Sequence, residues 1–317
     1  MARIVSIGAA LQDVYLIDHD DFGTNSRGFF NQFELGAKID IDKIFFSTGG
    51  GATNAATTFA RNGHESIFMG CIANDPAGIA IINSLDDEGI DSSYITYTDC
   101  TQTGYSVLLL APSGERTILT CRGASAKFEL LNPDDLDTIH PDWIYVSTFR
   151  GNMEMLDAFF TKAKSLGSKI MFNPGNLELQ HNRKLLGLLS DVDVLLVNKN
   201  EAQKIVTGYS LTELIGRIQN YVPIAIITDG NQGAIATDHT EVYRMGIYED
   251  VHVKDSTGAG DAFGAGFLAS YTNGKSFKDS LIFASANSTA VVQQIGSKTG
   301  IINQNKKLHT MPIQEIR

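Results

Sequence analysis

From residue 49 onward, short apolar runs alternate with segments of helical pattern, and this alternation limits the fold more than any other feature of the sequence. Uninterrupted apolar runs are typical of strands that are buried on both faces of a parallel sheet. Strands that alternate with helices are expected to form a doubly wound, three-layer α/β domain with a mostly parallel central sheet. The candidate core strands, one of them near the N-terminus, are RIVSIG, SIFMGC, DWIYVS, KIMFN, VDVLLVN and IAIITD.

One of the intervening helices has clear boundary signals. Asp75 is a candidate N-cap, Pro76 suits the first helical turn, and Gly89 is a suitable residue to follow the last turn. We therefore predict a helix from Ala77 to Glu88.

Two segments interrupt the alternation, residues 11–48 and 92–126. The second contains YSVLLLAPSGERTILT, which is typical of a β-hairpin that turns at residues 112–114. We predict that the two segments form a small β-sheet, inserted into the core and acting as a lid over a ligand site. The predicted α/β core then consists of residues 1–10, 49–91 and 127–317.

Composition excludes several classes of partner. The formal net charge of −11 over 317 residues disfavours nucleic acid, which requires clustered Lys and Arg. No apolar run is long enough to span a membrane. Cys71, Cys100 and Cys121 have neither C-x-x-C nor metal-ligand spacing, which is typical of a reducing compartment. We expect a cytoplasmic protein that binds a small molecule.

The stretch DSTGAGDAFGAGFLA, residues 255–269, combines a glycine-containing loop with the start of an apolar helix. The N–H groups of Gly258, Ala259 and Gly260 would point along the helix N-terminus, where a phosphate or another oxyanion can bind. Asp261 could then accept a proton from whatever attacks that anion. The alternative is that Asp261 only favours the helix start and that the glycines make a sharp turn.

The more familiar nucleotide-binding motifs are absent. The GSKT at residues 296–299 lacks the upstream glycine of a Walker loop, and no G-x-G-x-x-G follows the first strand. A dinucleotide-dependent dehydrogenase is therefore disfavoured.

A second glycine motif, GGGATNAATTFARNG at residues 49–63, precedes the first by about two hundred residues. Together the two motifs resemble those of the ribokinase-like, or PfkB, carbohydrate kinases, and the resemblance covers nearly the whole chain. It implies an ATP-dependent kinase that transfers the γ-phosphate to a hydroxymethyl group of a sugar. In that family Asp261 would remove the hydroxyl proton, while the amides of Gly258, Ala259 and Gly260 would hold the phosphate.

The resemblance also implies a nucleotide side of the site. Asn198 and Glu201, in VNKNEAQKIVTG, match a motif near Mg²⁺ and the phosphates, with contact expected through water. The alternative for this pair is a helix start with Glu in its first turn.

Other residues of the nucleotide side follow from the same resemblance. Thr228, Gly230 and Gly233 match the family's nucleotide-facing loop, for which the alternative is a simple glycine turn. Asn287 stands where the family often has an asparagine near adenine, and a polar residue on an amphipathic helix is an equally good account.

On the acceptor side, the resemblance implies that Asp13 grips sugar hydroxyls, although an ordinary solvated loop acid is the alternative. Gly49 and Gly50 would let the backbone approach the ligand, and the amides of Asn54 and Asn173 can donate and accept hydrogen bonds. These five residues are the predicted acceptor site.

The identity of the acceptor stays open. Gly51 stands where ribokinases and phosphofructokinase-like members have lysine, which makes those identities less favoured. The phosphosugar kinases of the family also place a lysine there, so its absence favours an uncharged acceptor. A nucleoside is the alternative acceptor. The alternative to an enzyme is a non-catalytic protein that binds a sugar or a nucleotide. The aromatic residues that could hold a base are Phe29, Phe30, Phe33 and Tyr105, and the arginines that could hold an anion instead are Arg116, Arg122 and Arg150. A monovalent cation requirement and a homodimer formed through the lid also stay open.

Overall fold

A computed structural model describes residues 1–17, 33, 35–111, 116–249 and 251–316. The predicted hairpin turn at residues 112–114 and two of the candidate base-binding aromatics, Phe29 and Phe30, lie outside the described residues. Within the described ranges the strands form a ten-stranded sheet and a separate four-stranded sheet.

The large sheet has a parallel body and an antiparallel edge. Its strands are β1 (Arg3–Ile7), β4 (Glu65–Ile72), β5 (Ile95–Tyr97), β8 (Trp143–Val146), β9 (Lys169–Phe172), β10 (Val194–Asn198), β11 (Ile224–Thr228), β12 (Ala234–Thr237), β13 (Val242–Met245) and β14 (Ile313–Glu315). They lie in the order β14-β13-β12-β11-β10-β9-β8-β1-β4-β5. Pairing is parallel from β5 through to β11 and antiparallel from β11 to β14. The predicted mostly parallel sheet is confirmed.

Helices cover both faces of this sheet. They are α1 (Gly51–Arg61), α2 (Pro76–Asp87), α3 (Asp135–Ile139), α4 (Met153–Ser165), α5 (Asn176–Gln180), α6 (Asn182–Leu188), α7 (Lys199–Ile205), α8 (Leu211–Ile218), α9 (Ala259–Thr272) and α10 (Phe277–Val292). Neighbouring side chains of β1 point to opposite faces of the sheet. Val5 packs in one hydrophobic cluster with Phe160 of α4, and Ile4 packs in another with Phe267 of α9. Among the described residues, no helix has both the length and the apolar character that a membrane span needs.

The start of α2 follows its sequence signals. Asp75 caps the helix by accepting the Gly78 N–H at 2.8 Å, and Pro76 is the first helical residue. The second carboxylate oxygen of Asp75 accepts the Thr103 N–H at 2.8 Å, which ties α2 to the chain just before the small sheet.

The small sheet draws its strands from both interruptions of the sequence. It consists of β2 (Leu11–Ile17), β3 (Lys43–Gly49), β6 (Gly104–Leu110) and β7 (Arg116–Cys121), in the order β3-β2-β6-β7. One boundary needs correction: β5 lies within the predicted segment 92–126 but pairs with β4 in the large sheet, so this part of the segment belongs to the core.

Candidate active site

Three consecutive glycines, Gly49 to Gly51, join β3 to α1 between two carboxyl side chains. A Cβ on Gly49 would overlap Asp13 Oδ2 and lie 2.8 Å from Asp13 Cγ, and a Cβ on Gly51 would lie 3.2 Å from Asp261 Oδ1. Gly50 has a φ of 104° and its Cβ would overlap the carbonyl oxygen of Ala9. The glycine run therefore brings the backbone against both predicted functional carboxyl groups.

The N-terminus of α9 has the geometry of an anion site. Its first helical hydrogen bond runs from the Ala262 N–H to the Gly258 carbonyl at 2.8 Å, so the amides of Ala259, Gly260 and Asp261 precede the helical ladder. Gly258 takes the left-handed conformation, with a φ of 77°, and a Cβ there would lie 2.6 Å from Ser297 Cβ. Only glycine fits this turn without strain.

Asp261 lies in the first turn of α9 and receives a hydrogen bond from Asn54 of α1. Asn54 Nδ2 donates to Asp261 Oδ2 at 2.9 Å. Loss of hydration raises the pKa of the Asp261 carboxyl above its ordinary value, and the Asn54 hydrogen bond opposes this rise. The structure thus brings together two residues that are more than two hundred positions apart, one predicted to bind the acceptor and the other to act as the base.

Asp13 lies in the middle of β2 and is only 5% exposed, so it is not a solvated loop acid. Its strand neighbours in register are Ser47 of β3 and Ser106 of β6. Burial raises the pKa of Asp13 to about 6, although a hydrogen bond from Ser106 and the charge of Lys298 oppose the rise. Thr120 of β7 continues this row of hydroxyl groups, and its Oγ1 lies 3.4 Å from Ser106 Oγ.

The sequence analysis did not select Ser106 and Thr120 as site residues. The available signal was the alternation of the two strands, which places both on the face of the small sheet that carries Asp13. The alignment of Asp13, Ser106 and Thr120 across β2, β6 and β7 also depends on strand register, which the sequence alone does not give.

Lys298 is a buried lysine that interacts electrostatically with Asp13. It belongs to the GSKT segment, which lacks the spacing of a Walker loop. Its Nζ donates to Thr48 Oγ1 at 2.8 Å. Burial lowers the pKa of Lys298 to about 7, even though the charges of Asp13 and Glu88 favour its protonated form. The lysine therefore couples electrostatically to the acceptor-side carboxylate.

A cavity of about 620 Å³ lies against the N-terminus of α9. Thr228, Gly230 and Gly233 line one part of its wall, and Ala259 and Gly260 line another. The remaining wall comes from Asn231, Ala234, Gly246, Ile247, Tyr248, Glu249, Val251, Val253, Ser256, Phe263, Ser285, Ser288, Thr289 and Val292. A cavity of this size accommodates a nucleoside-sized group.

Asn198 and Glu201 form a reciprocal cap at the start of α7. Asn198 Oδ1 accepts the Glu201 N–H at 3.0 Å, and Glu201 Oε2 accepts the Asn198 N–H at 2.9 Å. Burial raises the pKa of Glu201, and the charge of Asp261 adds to this rise. No group of three or more acidic, His or Cys side chains that could hold a metal occurs among the described residues. These side chains fit a Mg²⁺ that would be held mainly by phosphates and water, with Asn198 and Glu201 contacting it through water.

Asn287 does not line the 620 Å³ cavity against α9, so the expected contact with adenine is not supported by its position. Its side chain is completely buried between α10, α9 and the chain at Ile302. Asn287 Nδ2 donates to the Ala262 carbonyl at 2.8 Å, and Oδ1 accepts the Ile302 N–H at 2.9 Å. The residues of α10 that line the cavity are Ser285, Ser288, Thr289 and Val292.

Two further candidate residues, Arg150 and Asn173, follow the carboxyl ends of β8 and β9. Asn173 follows β9, is half-buried, and donates from Nδ2 to the Leu196 carbonyl at 2.9 Å. The loop after β8 is fixed by the buried Glu178, which accepts the N–H groups of Phe149 at 2.7 Å and Gly151 at 2.9 Å. This loop carries Arg150, whose backbone has a φ of 53°.

The three candidate arginines have different surroundings. Arg116 donates to Ser256 Oγ in the loop before α9, and its Nε lies 3.9 Å from Asp255 Oδ1. Arg150 is exposed. Burial lowers the pKa of Arg122, the charge of Arg150 lowers it further, and the charge of Asp13 raises it. Arg116 thus faces residues 255–260 at the start of α9, the predicted phosphate loop, whereas the other two lie toward Asp13.

Comparison with known proteins places this geometry in a family. Residues 1–304 match the profile of the pfkB family carbohydrate kinases. The ribokinase of Haemophilus influenzae is 24% identical over 82% of this chain and 86% of its own length. The crystal structure of the Methanocaldococcus jannaschii nucleoside kinase has a TM-score of 0.78 at 21% identity, over 96% of this chain and 95% of that one. The Arabidopsis thaliana ribokinase complexed with ribose and ATP has a TM-score of 0.77 at 21% identity, over 95% and 96%.

Proposed function

Because the chain belongs to the pfkB family of carbohydrate kinases, which are phosphotransferases with an alcohol group as acceptor, we propose that it transfers the γ-phosphate of ATP to a hydroxymethyl group of a sugar. One observation carries the proposal: the glycine run from Gly49 to Gly51 lies against Asp13 on one side and against Asp261 on the other. An acceptor gripped by Asp13 would have a hydroxyl within reach of the base at the end of the nucleotide cavity.

The proposed step needs one proton acceptor and one anion site. The Asp261 carboxylate takes the hydroxyl proton as the acceptor oxygen forms a bond to the γ-phosphorus. The bond from that phosphorus to the β,γ-bridging oxygen breaks, and its electron pair leaves with ADP. The amides of Gly258, Ala259 and Gly260 would stabilise the charge of the transferring group at the helix N-terminus.

ATP is proposed to bind as its Mg²⁺ complex, in which the cation neutralises phosphate charge. Thr228, Gly230 and Gly233 would hold the nucleoside part in the cavity. Asn198 and Glu201, whose side chains cap α7, would act on the metal through water rather than as ligands.

A sugar is favoured over a nucleoside because the face of the small sheet that carries Asp13 is rich in hydroxyl groups, including those of Ser106 and Thr120. The candidate base-binding residue Tyr105 pairs with Gln12 and neighbours Ser106, so its side chain lies on the opposite face of the sheet. The nucleoside alternative is still a separate outcome of the experiment below.

An uncharged acceptor is proposed despite the two guanidinium groups of Arg122 and Arg150. The Asp13 carboxylate interacts favourably with Arg122, and this offsets part of the positive charge. A carboxylate at the centre of the acceptor side disfavours an anion there and favours hydroxyl donors.

An ADP-release assay over ribose, fructose, adenosine, inosine and fructose 6-phosphate tests the proposal. The Asp261→Asn protein, purified in parallel, reports contaminating kinases. We expect acceptor-dependent ADP release with a free sugar. A preference for a nucleoside or for the phosphorylated sugar would contradict the acceptor assignment. Binding of sugar and ATP without ADP release would indicate a non-catalytic binder.

We also propose that the small sheet acts as a lid and pairs with a second copy in a cytoplasmic homodimer. Ile44 is 57%, Phe46 63% and Leu119 58% exposed, and register places them on the face away from Asp13. Acceptor plus ATP should slow hydrogen exchange in β2 and β6 if the lid closes. Phe46→Glu should convert a dimer to a monomer in light scattering, and a wild-type monomer would contradict the pairing.

A further inference from the structure

A second cavity lies beside the nucleotide cavity and shares part of its wall. Its volume is about 640 Å³, and Ile247, Tyr248, Glu249 and Val251 line both cavities. The chain between β13 and α9 is therefore a wall common to the two. The opposite wall of the second cavity comes from residues between 302 and 312, and we call this space the Lys306 cavity. The proposed reaction makes no use of it.

Hydrogen bonds join the two walls of the Lys306 cavity. The Gly246 N–H donates to the Pro312 carbonyl at 2.8 Å, and the Tyr248 hydroxyl donates to the His309 carbonyl at 3.1 Å. The cavity is thus bounded by segments that are tied directly to each other.

The floor of the Lys306 cavity is one face of α10. It consists of four residues at helical spacings of three and four, Ala286, Thr289, Ala290 and Gln293. The two alanines leave space above the helix, while the hydroxyl and the amide offer hydrogen bonds. Apolar side chains, among them Ile302 and Leu308, contribute to the walls. A cavity of this size and lining suits a ligand with a partly apolar body.

The charge of the Lys306 cavity is opposite to that of the protein. Residues 280–314 contain no Asp or Glu, although the chain has 36 acidic residues and a net charge of −11. Lys306, Lys307 and His309 line the cavity, against a single acidic lining residue among those described, Glu249. Within the described part of the chain, none of these three basic side chains forms an ion pair. Ammonium groups without carboxylate partners at a cavity favour an anionic ligand.

We propose that the Lys306 cavity is a second nucleotide-binding site, separate from the one that holds ATP for catalysis. Lys306 and Lys307 bind the phosphate groups, and the apolar walls and the face of α10 hold the base and the ribose. A phosphorylated sugar has the same anionic group, but its hydroxyl groups would lose hydration against apolar walls. The inference rests on the proposed function only in assigning ATP to the first cavity.

The number of ADP molecules bound per chain tests the proposal. Equilibrium dialysis with labelled ADP and Mg²⁺, without acceptor, counts the sites in the absence of turnover. We expect two ADP molecules per wild-type chain. In the Lys306→Ala/Lys307→Ala double variant, the affinity of one of the two sites should fall at least about tenfold, because charge-assisted hydrogen bonds to the phosphates are lost.

The matched control is the Lys184→Ala/Lys275→Ala double variant. It removes the same amount of charge from two exposed lysines that line neither cavity, and it should still bind two ADP molecules. Ala290→Phe leaves the charge unchanged and fills the floor of the Lys306 cavity with a ring. It should lose one ADP and change the affinity of the other by less than about twofold.

The outcomes separate this inference from the proposed function. One ADP per wild-type chain that the Lys306→Ala/Lys307→Ala protein retains would overturn the inference, as would a second ADP that both this protein and Ala290→Phe retain. Displacement of the second ADP by fructose 6-phosphate as readily as by AMP would overturn the nucleotide assignment. A single wild-type ADP that is lost in the lysine variant would instead refute ATP binding in the first cavity. If Ala290→Phe does not fold, the lysine variant carries the test alone.

Discussion

Gly49→Ala should disable the acceptor side while leaving the nucleotide side intact. The added Cβ would overlap Asp13 Oδ2 and lie 2.8 Å from Asp13 Cγ. Asp13 is buried in the small sheet between Ser47 and Ser106, so its backbone has little freedom to retreat. The carboxylate must rotate away from its present position, and any sugar hydroxyl bonded to it loses that contact.

The expected magnitude follows from the hydrogen bond that is lost. A hydrogen bond to a charged group contributes about 1.5–3 kcal/mol, so kcat/KM for the acceptor should fall roughly 10-fold to 150-fold. KM for ATP should stay within about twofold, because the nucleotide cavity is lined by residues of other elements. Asp13→Ala should produce a loss of similar size, since both changes remove the same contact.

Steady-state kinetics with each substrate varied in turn measures this split, and thermal unfolding checks the fold. Gly216→Ala is the control: a Cβ there meets no atom within 4 Å, and the residue lies in α8 away from the site. It should leave both KM values unchanged and stabilise the helix by up to about 1 kcal/mol. An unchanged acceptor KM in Gly49→Ala would refute the assignment of Asp13 to the acceptor.

Three further outcomes are expected. The acceptor KM should rise as pH falls below about 6, because protonation removes the charge with which Asp13 accepts hydroxyl hydrogens, and Asp13→Asn should flatten this dependence in a pH series. Lys298→Met should move the same transition to higher pH, because the lysine charge lowers the pKa of Asp13; a shift to lower pH would contradict the coupling. Arg116→Ala should raise KM for ATP and lower the melting temperature, because the buried Asp255 loses its cation and Ser256 loses a hydrogen bond. Kinetics and calorimetry that match wild type would exclude a role for Arg116 in holding the phosphate loop.

The layered core could be predicted because each strand and helix carries its own local signal. The apolar run of β10 and the alternation in β6 depend on residues close in sequence, as does the capped start of α2 at Asp75. Glycine positions were equally readable, since Gly258 takes a conformation that other residues rarely adopt. The short strand β5 lies in the segment predicted for the small sheet, because a strand of three residues shows no clear hydrophobic period that would assign it to the core.

Contacts between distant segments could not be predicted from one sequence. The bond from Ser297 to Asn54 joins residues 243 positions apart, and the hydroxyl row beside Asp13 depends on strand register. Asn287 shows the opposite error, because the family resemblance suggested a ligand contact whereas packing against α9 buries its amide. The roles assigned to the site residues therefore stay predictions that kinetics must test.

The central claim, that Asp261 is the proton acceptor for phosphoryl transfer, is tested most directly by Asp261→Asn. The substitution preserves shape, and the new amide oxygen can still accept the Asn54 Nδ2 hydrogen bond that spans 2.9 Å in the wild type. Single-turnover transfer of labelled γ-phosphate to the acceptor, with ATP affinity measured on the same protein, separates chemistry from binding. The account predicts unchanged ATP affinity and a transfer rate lowered by at least about two orders of magnitude. Transfer at close to the wild-type rate would contradict it.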